Sequence, residues 1–122
     1  MEDFRENLEY IVPDDFNFAY DVMDEWARVA PDKLALMWTN DQGEEKRFSF
    51  SDMKRETDKV ASYLLSIGIG KNDMVMLVLK RRYQFWLTII ALHKIGAIAI
   101  PATYLLTAND IVYRCQCADI KA

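Results

Sequence analysis

Glycine is scarce in this chain of 122 residues, with only Gly43, Gly68, Gly70 and Gly96 present. A loop that cradles phosphate through its backbone N–H groups needs several glycines close together, so none can be built here. Gly68 and Gly70 are near neighbours, but they follow a helical pattern and precede an apolar run, the reverse of the order a dinucleotide fingerprint requires. They read as a plain connection. Histidine is rarer still: His93 stands alone, which leaves a His-based metal site without partners. The cysteines, Cys115 and Cys117, lie two apart on a predicted helix and point in different directions, so they do not bond to each other. Arg114 is their only basic neighbour in sequence, a weak basis for a reactive thiol. Free thiols fit a reducing cytoplasm. Positive charge is also in deficit, and the formal net charge of -4 argues against a nucleic-acid surface. Long apolar runs are missing too. From Phe85 to Ala102 the chain is rich in apolar residues, but His93-Lys94 interrupts it and Gly96 and Pro101 punctuate it, leaving nothing long enough to span a bilayer. The opening MEDFRENLEY has no apolar core of a secretory signal. These absences predict a soluble, cytoplasmic protein.

What is present is an ordinary globular composition, 52% apolar and 28% charged, at a length that suits one domain or part of one. Residues 1–16 show no period and read as an arm. Asn17 is a good N-cap for a helix to Ala30 with Ala19, Val22, Met23, Trp26 and Ala30 on one face, stopped by Pro31-Asp32. Leu34 to Thr39 and Glu45 to Phe50 alternate as strands around Asn40-Asp41-Gln42-Gly43, predicting a β-hairpin. Ser49 and Asp52 form a capping-box pair for the next helix, whose stripe is Met53, Thr57, Val60, Ala61, Leu64 and Leu65, with Gly68 left-handed at its end.

The organising unit follows. Met74 to Leu79 reads as a strand buried on both faces. Lys80-Arg81-Arg82 is a basic loop, and Tyr83 to Ile95 is a helix with Trp86, Ile89, Ile90, His93 and Lys94 on one stripe, widened by Leu87 and Ala91. Gly96 caps it, and Ile98 to Ile100 forms a second strand ending at Pro101. Units joined this tightly make a right-handed crossover between parallel strands. Thr107 then caps a helix from Ala108 to about Cys117, with Ile111, Val112 and Cys115 inward. Another strand should begin at Asp119-Ile120-Lys121-Ala122, so the end looks like a cut through a larger unit. Trp26, Trp38 and Trp86 fall on predicted core faces.

The segment Lys94-Ile95-Gly96-Ala97-Ile98-Ala99-Ile100-Pro101 resembles the Lys/Arg-x-Gly-Ala-x-x-x-Pro pattern of AMP-forming acyl-CoA synthetases, luciferases and peptide-synthetase adenylation domains. The match extends to Asn17-Phe18-Ala19 through Trp26, Pro31 through Leu36, and Leu106-Thr107 through Tyr113-Arg114, which look like the medium-chain and acetyl-CoA synthetase-like branch. Ser49-Phe50-Ser51-Asp52-Met53 is similar to the family's Thr-Tyr-x-Glu-Leu, and Asn72 stands where the family usually has Gly, a mild departure because Asn tolerates a positive φ. The resemblance implies an α/β fold: a partial three-layer adenylate-forming N-terminal domain with parallel strands, crossover helices and an N-terminal β-hairpin, residues 17–122 being its first part. It implies a parent enzyme that joins a carboxylic acid to ATP, releases pyrophosphate and passes the acyl group to CoA, with Mg²⁺ offsetting phosphate charge. No catalytic motif of the family lies in these residues, so the chain by itself is expected to be inactive, with no catalytic or metal-binding residue.

Two loops at the carboxyl ends of the parallel strands are where open α/β sheets bind ligands. At Lys80-Arg81-Arg82 an anion site is conceivable, though three adjacent bases flanking a helix start are more often a solvated loop; the family's Leu-Pro and Pro-Glu are here Leu79-Lys80 and Tyr83-Gln84. Thr103-Tyr104-Leu105 follows the second strand, and the resemblance implies part of the wall of the channel for the pantetheine of CoA, against the plainer reading of a structural turn. Two other classes stay open: a free-standing, non-catalytic α/β interaction module derived from such an enzyme, and a small flavodoxin-like binding protein, for which the basic loop lacks the expected Gly, Ser or Thr. Missing later strands would leave open edges, so the chain is also expected to self-associate.

Overall fold

A computed structural model describes residues 12–122, so residues 1–11 of the expected arm lie outside the described residues. Val12 to Phe16 are exposed or nearly so, and the Phe16 N–H donates to the Pro13 carbonyl at 3.1 Å. Asn17 caps the first helix as expected, its side chain accepting from the Ala19 N–H at 3.0 Å. The helix itself departs from the sequence reading. Phe18–Asp24 (α1) is wound as a π-helix, and a short α-helical piece, Glu25–Val29 (α2), continues it. This segment carries Tyr20 and Asp24 to the end of a distant helix, as shown below. Trp26 is not a core residue: it is 40% exposed, stacked on Phe50 with centroids 5.5 Å apart and capped by the Lys33 ammonium.

The hairpin pairs β1 (Leu34–Thr39) with β2 (Glu45–Ser49) antiparallel, Leu36 opposite Phe48 and Trp38 opposite Lys46. Asn40 organises the turn, its Oδ1 accepting from the N–H groups of Gln42 and Glu44. The capping box claims Phe50 for α3 (Phe50–Ser66), so β2 ends one residue earlier than the alternation suggests. Met53, Thr57, Ala61 and Leu64 are buried, whereas Leu65 is exposed, one position off that row. The Thr57 hydroxyl satisfies itself on the Lys54 carbonyl at 3.0 Å. Gly68 is left-handed at φ +86° and Asn72 at φ 68°, as both residue types permit.

β3 (Met74–Leu77) and β4 (Ile98–Pro101) are parallel, Met74 opposite Ile98 and Leu77 opposite Pro101, with α4 (Gln84–Lys94) between them. β3 is shorter than expected and alternates: Val75 and Leu77 are buried, Met74 and Met76 only half-buried. Only one face of the strand is fully covered, by α3 and α4, whose Ala61, Leu64, Ala91 and Leu92 share a cluster with Val75, Leu77 and Ala97. A second cluster joins Ala19, Met53, Leu87 and Ile90 beneath the hairpin. Trp86 is a correction, lying half exposed on the outer side of α4 and edge-on to Phe85. α5 (Ala108–Ala118) is capped by Thr107 as expected, in a capping box with Asp110, yet it buries no residue, and its expected inner face of Ile111, Val112 and Cys115 stays at least partly open. Beyond it, the Lys121 N–H donates to the Met74 carbonyl and the Met76 N–H to the Ala122 carbonyl. Where another strand was expected, the chain runs along the free edge of β3 in the same direction. Among the described residues no helix is long and apolar enough to cross a membrane.

Candidate functional site

Because β3 and β4 are parallel, the loops that follow them emerge at the same edge. The Ala102 N–H donates to the Leu77 carbonyl at 3.0 Å, which carries the pairing one residue past β4. Thr103, Tyr104 and Leu105 then turn in the open: the Thr103 hydroxyl accepts from the Leu105 N–H at 3.2 Å, and all three side chains face solvent. The loop after β3 reaches them, since the Lys80 Nζ lies 4.8 Å from the centroid of the Tyr104 ring. The two regions singled out separately in the sequence are therefore neighbours.

The hairpin braces this edge. The Trp38 indole donates to the Arg81 carbonyl at 2.6 Å, and the Lys46 ammonium donates to the Tyr83 hydroxyl at 2.9 Å while lying 4.5 Å from that ring. Trp38 and Phe48 both pack on Tyr83. Below Lys46 an open cleft of about 360 Å³ runs between the hairpin and α3, lined among others by Arg47, Asp52, Arg55, Glu56 and Tyr83. Its charges answer one another: Arg55 holds Asp52 at 2.7 Å and Glu56 at 3.1 Å. The Ser49 backbone N–H, then its hydroxyl and Arg55, hold the Asp52 carboxyl below the usual range.

A second cluster lies at the far end of α4. Lys94, with 2% of its side chain exposed, donates to Asp24 Oδ1 at 2.8 Å and Asp58 Oδ1 at 2.6 Å, and Lys54 bridges the same two carboxylates. Burial pushes the Asp58 carboxyl up, but hydrogen bonds from Lys94 and Lys54 outweigh it and leave the group below its ordinary value. Asn17 Nδ2 donates to the His93 carbonyl at 2.9 Å and the Tyr20 hydroxyl to the Lys94 carbonyl at 3.1 Å, so α1 supplies the partners that a helix end lacks. This network is structural. Sequence reasoning placed Lys94 in an apolar stripe without asking for its counter-ions, although a buried lysine demands them.

The remaining candidates take plain roles. The Gly70 N–H donates to the Asp73 carboxylate at 2.7 Å, which Lys121 also holds, so the protein's own acid fills the glycine connection. His93 is half-buried; Cys115 and Cys117 are unpaired. Among the described residues no group of three or more His, Cys, Asp or Glu side chains could hold a metal ion.

The sequence profile described as AMP-binding enzyme matches residues 23–122, the span that carries α3, the parallel pair and both loops. The chain belongs to the AMP-binding enzyme family. Curated relatives of this chain include acyl-coenzyme A synthetase ACSM5, mitochondrial, of Rattus norvegicus, 37% identical over 91% of the chain and 20% of the relative. The human acyl-coenzyme A synthetase ACSM1, mitochondrial, is 38% identical over 93% of the chain and 21% of its own length. The chain thus spans about a fifth of the length of these relatives. Its fold matches the inhibitor-bound N-terminal domain of FACL13 from Mycobacterium tuberculosis, with TM-score 0.78 and 23% identity over 87% of this chain and 26% of that one. It also matches the Klebsiella oxytoca NpsA N-terminal subdomain in complex with 3-hydroxyanthranilyl-AMSN, with TM-score 0.74 and 22% identity over 83% of this chain and 25% of that one. The mixed α/β fold expected from the sequence is the observed one, and it matches about a quarter of these N-terminal domains.

In this member of the AMP-binding enzyme family each fixed position of the Lys94-to-Pro101 segment has a physical task. Lys94 anchors three helices, and Gly96 is left-handed at φ +70°, where a Cβ would meet Lys71 Cγ at 3.2 Å. Ala97 is buried against the cluster and Pro101 closes β4.

Proposed function

We propose that this chain is the N-terminal framework of an AMP-forming acyl-CoA synthetase. In the reaction so assigned, a carboxylate oxygen attacks the α-phosphorus of ATP and pyrophosphate leaves; the thiol of CoA then attacks the acyl carbon and AMP leaves. The observation that carries this reading is identity of 37% to an acyl-CoA synthetase across nearly the whole chain. The residues here contribute scaffold, so the chain alone is inactive, and ATP, Mg²⁺ and CoA belong to the complete enzyme. Thr103, Tyr104 and Leu105 are proposed as part of the wall along which CoA approaches; their exposure at the carboxyl edge supports that position. Two unpaired thiols support a reducing compartment, read here as the cytoplasm.

Acyl-hydroxamate formation and ATP–pyrophosphate exchange on the purified chain test the division of labour, with background rates expected. Turnover above background would overturn the assignment of chemistry to residues outside this chain. The role of the loop is tested by grafting Tyr104→Ala into a complete acyl-CoA synthetase that includes this segment. A raised KM for CoA with an unchanged KM for ATP is expected, and an unchanged KM for CoA would remove the loop from the channel.

A further inference from the structure

Three segments far apart in the sequence meet through side chains beside Tyr83. From the hairpin, Trp38 donates its indole N–H to the Arg81 carbonyl at 2.6 Å and sets its ring edge-on to Tyr83. Phe48 packs on the same tyrosine with centroids 5.3 Å apart, and Lys46 donates to its hydroxyl. From the loop between β3 and α4, the Lys80 ammonium lies over the Tyr104 ring. Lys80 and Tyr83 both stand where the family pattern has proline, so no ring closure stiffens the backbone at either position. We propose that Lys80 is a positioning residue for the Thr103–Leu105 loop, and that the hairpin, through Trp38 and Tyr83, holds Lys80 in place to do so.

The Thr103–Leu105 loop has little of its own to fix it. Past Ala102 its hydrogen bonds are internal, from the Leu105 N–H to the Thr103 hydroxyl at 3.2 Å and from the Leu106 N–H to the Thr103 carbonyl at 3.4 Å. Lys80 supplies a tie to another element. One exposed cation–π contact is weak when a long side chain must be ordered to make it. Here the backbone that carries the lysine is fixed beforehand: the Arg82 N–H donates to the Lys80 carbonyl, Trp38 takes the Arg81 carbonyl, and the Phe85 N–H donates to the Arg82 carbonyl at 3.1 Å. Tyr83, clamped by Trp38, Phe48 and Lys46, anchors the same turn to the hairpin. Only the lysine side chain then remains to be ordered, and the position of Tyr104 follows from that of the hairpin.

The brace is tested first in the isotopically labelled chain, by relaxation of its backbone amides. Lys80→Met keeps the stem of an exposed side chain and removes its charge; it should lower the order parameters of residues 103–106 and leave those of residues 81–83 as they are. Lys80→Arg keeps the cation and should leave both stretches ordered. Trp38→Phe removes the indole donor and should loosen both, although its hydrogen bond goes to the first alone. Undiminished order of residues 103–106 in Lys80→Met would overturn the positioning, and the same result in Trp38→Phe would overturn the part given to the hairpin. The second arm uses a complete acyl-CoA synthetase that includes this segment, and it rests on reading the loop as part of the CoA wall. There Lys80→Met should raise KM for CoA about two- to fivefold, the size one exposed cation–π contact allows, with kcat at saturating CoA and KM for ATP unchanged. Lys80→Arg should restore the wild-type value. Tyr104→Ala separates the two readings. An unchanged KM for CoA in that variant removes the wall and leaves the brace to the relaxation result, whereas a raised KM there beside an unchanged one in Lys80→Met would overturn Lys80 as the positioning residue.

Discussion

An ammonium group as deeply covered as that of Lys94 persists only where carboxylates replace its water, and here Asp24 and Asp58 do so from α1 and α3. Removing the lysine leaves the largely covered Asp24 with only the more exposed Lys54, at 3.2 Å, as a counter-ion. Lys94→Ala is therefore expected to destabilise the chain by about 3–5 kcal/mol, measured by urea unfolding, a cost of the kind seen when one partner of a buried pair is deleted. Lys94→Met combined with Asp24→Asn should recover part of the loss, since the uncompensated charge then goes with its partner. Asp58 adds a pH dependence. Its carboxyl is held low in the folded chain, so its contribution is complete above its unfolded value and lost as pH falls through the lower folded one. Thermal melts of wild type and Asp58→Asn should differ by a constant amount near neutrality and converge in acid, below about pH 4. A gap that widened in acid would show that the carboxylate is not held by its lysines. Legibility at this scale was uneven: the left-handed Asn72 followed from residue type, whereas the partners of Lys94, from far away in the sequence, had no local signal.

Elements defined by local chemistry were read correctly from the sequence. The Ser49–Asp52 box and the Thr107 cap start α3 and α5 where expected, and Gly68 and Gly96 end helices in the conformation glycine allows. Beyond local chemistry the pattern misled. The π-winding of Phe18–Asp24 leaves no periodic trace, and the stripe of α4 put Trp86 inside although Leu87, Ile90 and Ala91 occupy the interior. The candidate site shows the same division. Topology alone located Thr103–Leu105 and Lys80–Arg82 at one edge, but the Lys80–Tyr104 contact and the Trp38 brace depend on how the hairpin packs. Two substitutions separate local from tertiary control. Ser49→Ala should lower stability by about 1 kcal/mol, the usual value of an N-cap. Tyr20→Phe, which deletes only the hydroxyl that caps Lys94, should cost about 0.5–1.5 kcal/mol and speed hydrogen exchange in α1 more than in α3. Equal acceleration in both helices would show that α1 has no separate anchor.

For the molecule as a whole, the helices cover one side of the β3–β4 pair and leave much else open. Val78, Ile98, Leu105, Val112 and Tyr113 are all more than 40% exposed, and α5 buries nothing. β4 pairs only with β3 among the described residues, while the far edge of β3 is partly taken by Lys121 and Ala122. Apolar surface beside an unpaired strand edge favours pairing with a second copy. The 14.2 kDa chain is therefore expected to associate with itself, its mass by light scattering rising with concentration and an apolar dye brightening in its presence. Ile98→Lys places a charge on the open side of β4, and Val112→Lys does so on α5; either should shift the population towards monomer without altering the far-UV spectrum, since neither side chain supports the core. If self-association instead proceeds through the basic loop, both variants would associate like wild type and salt would reverse it. A mass of one chain at every concentration, with no dye response, would mean that the exposed face is too small or too well solvated to drive assembly.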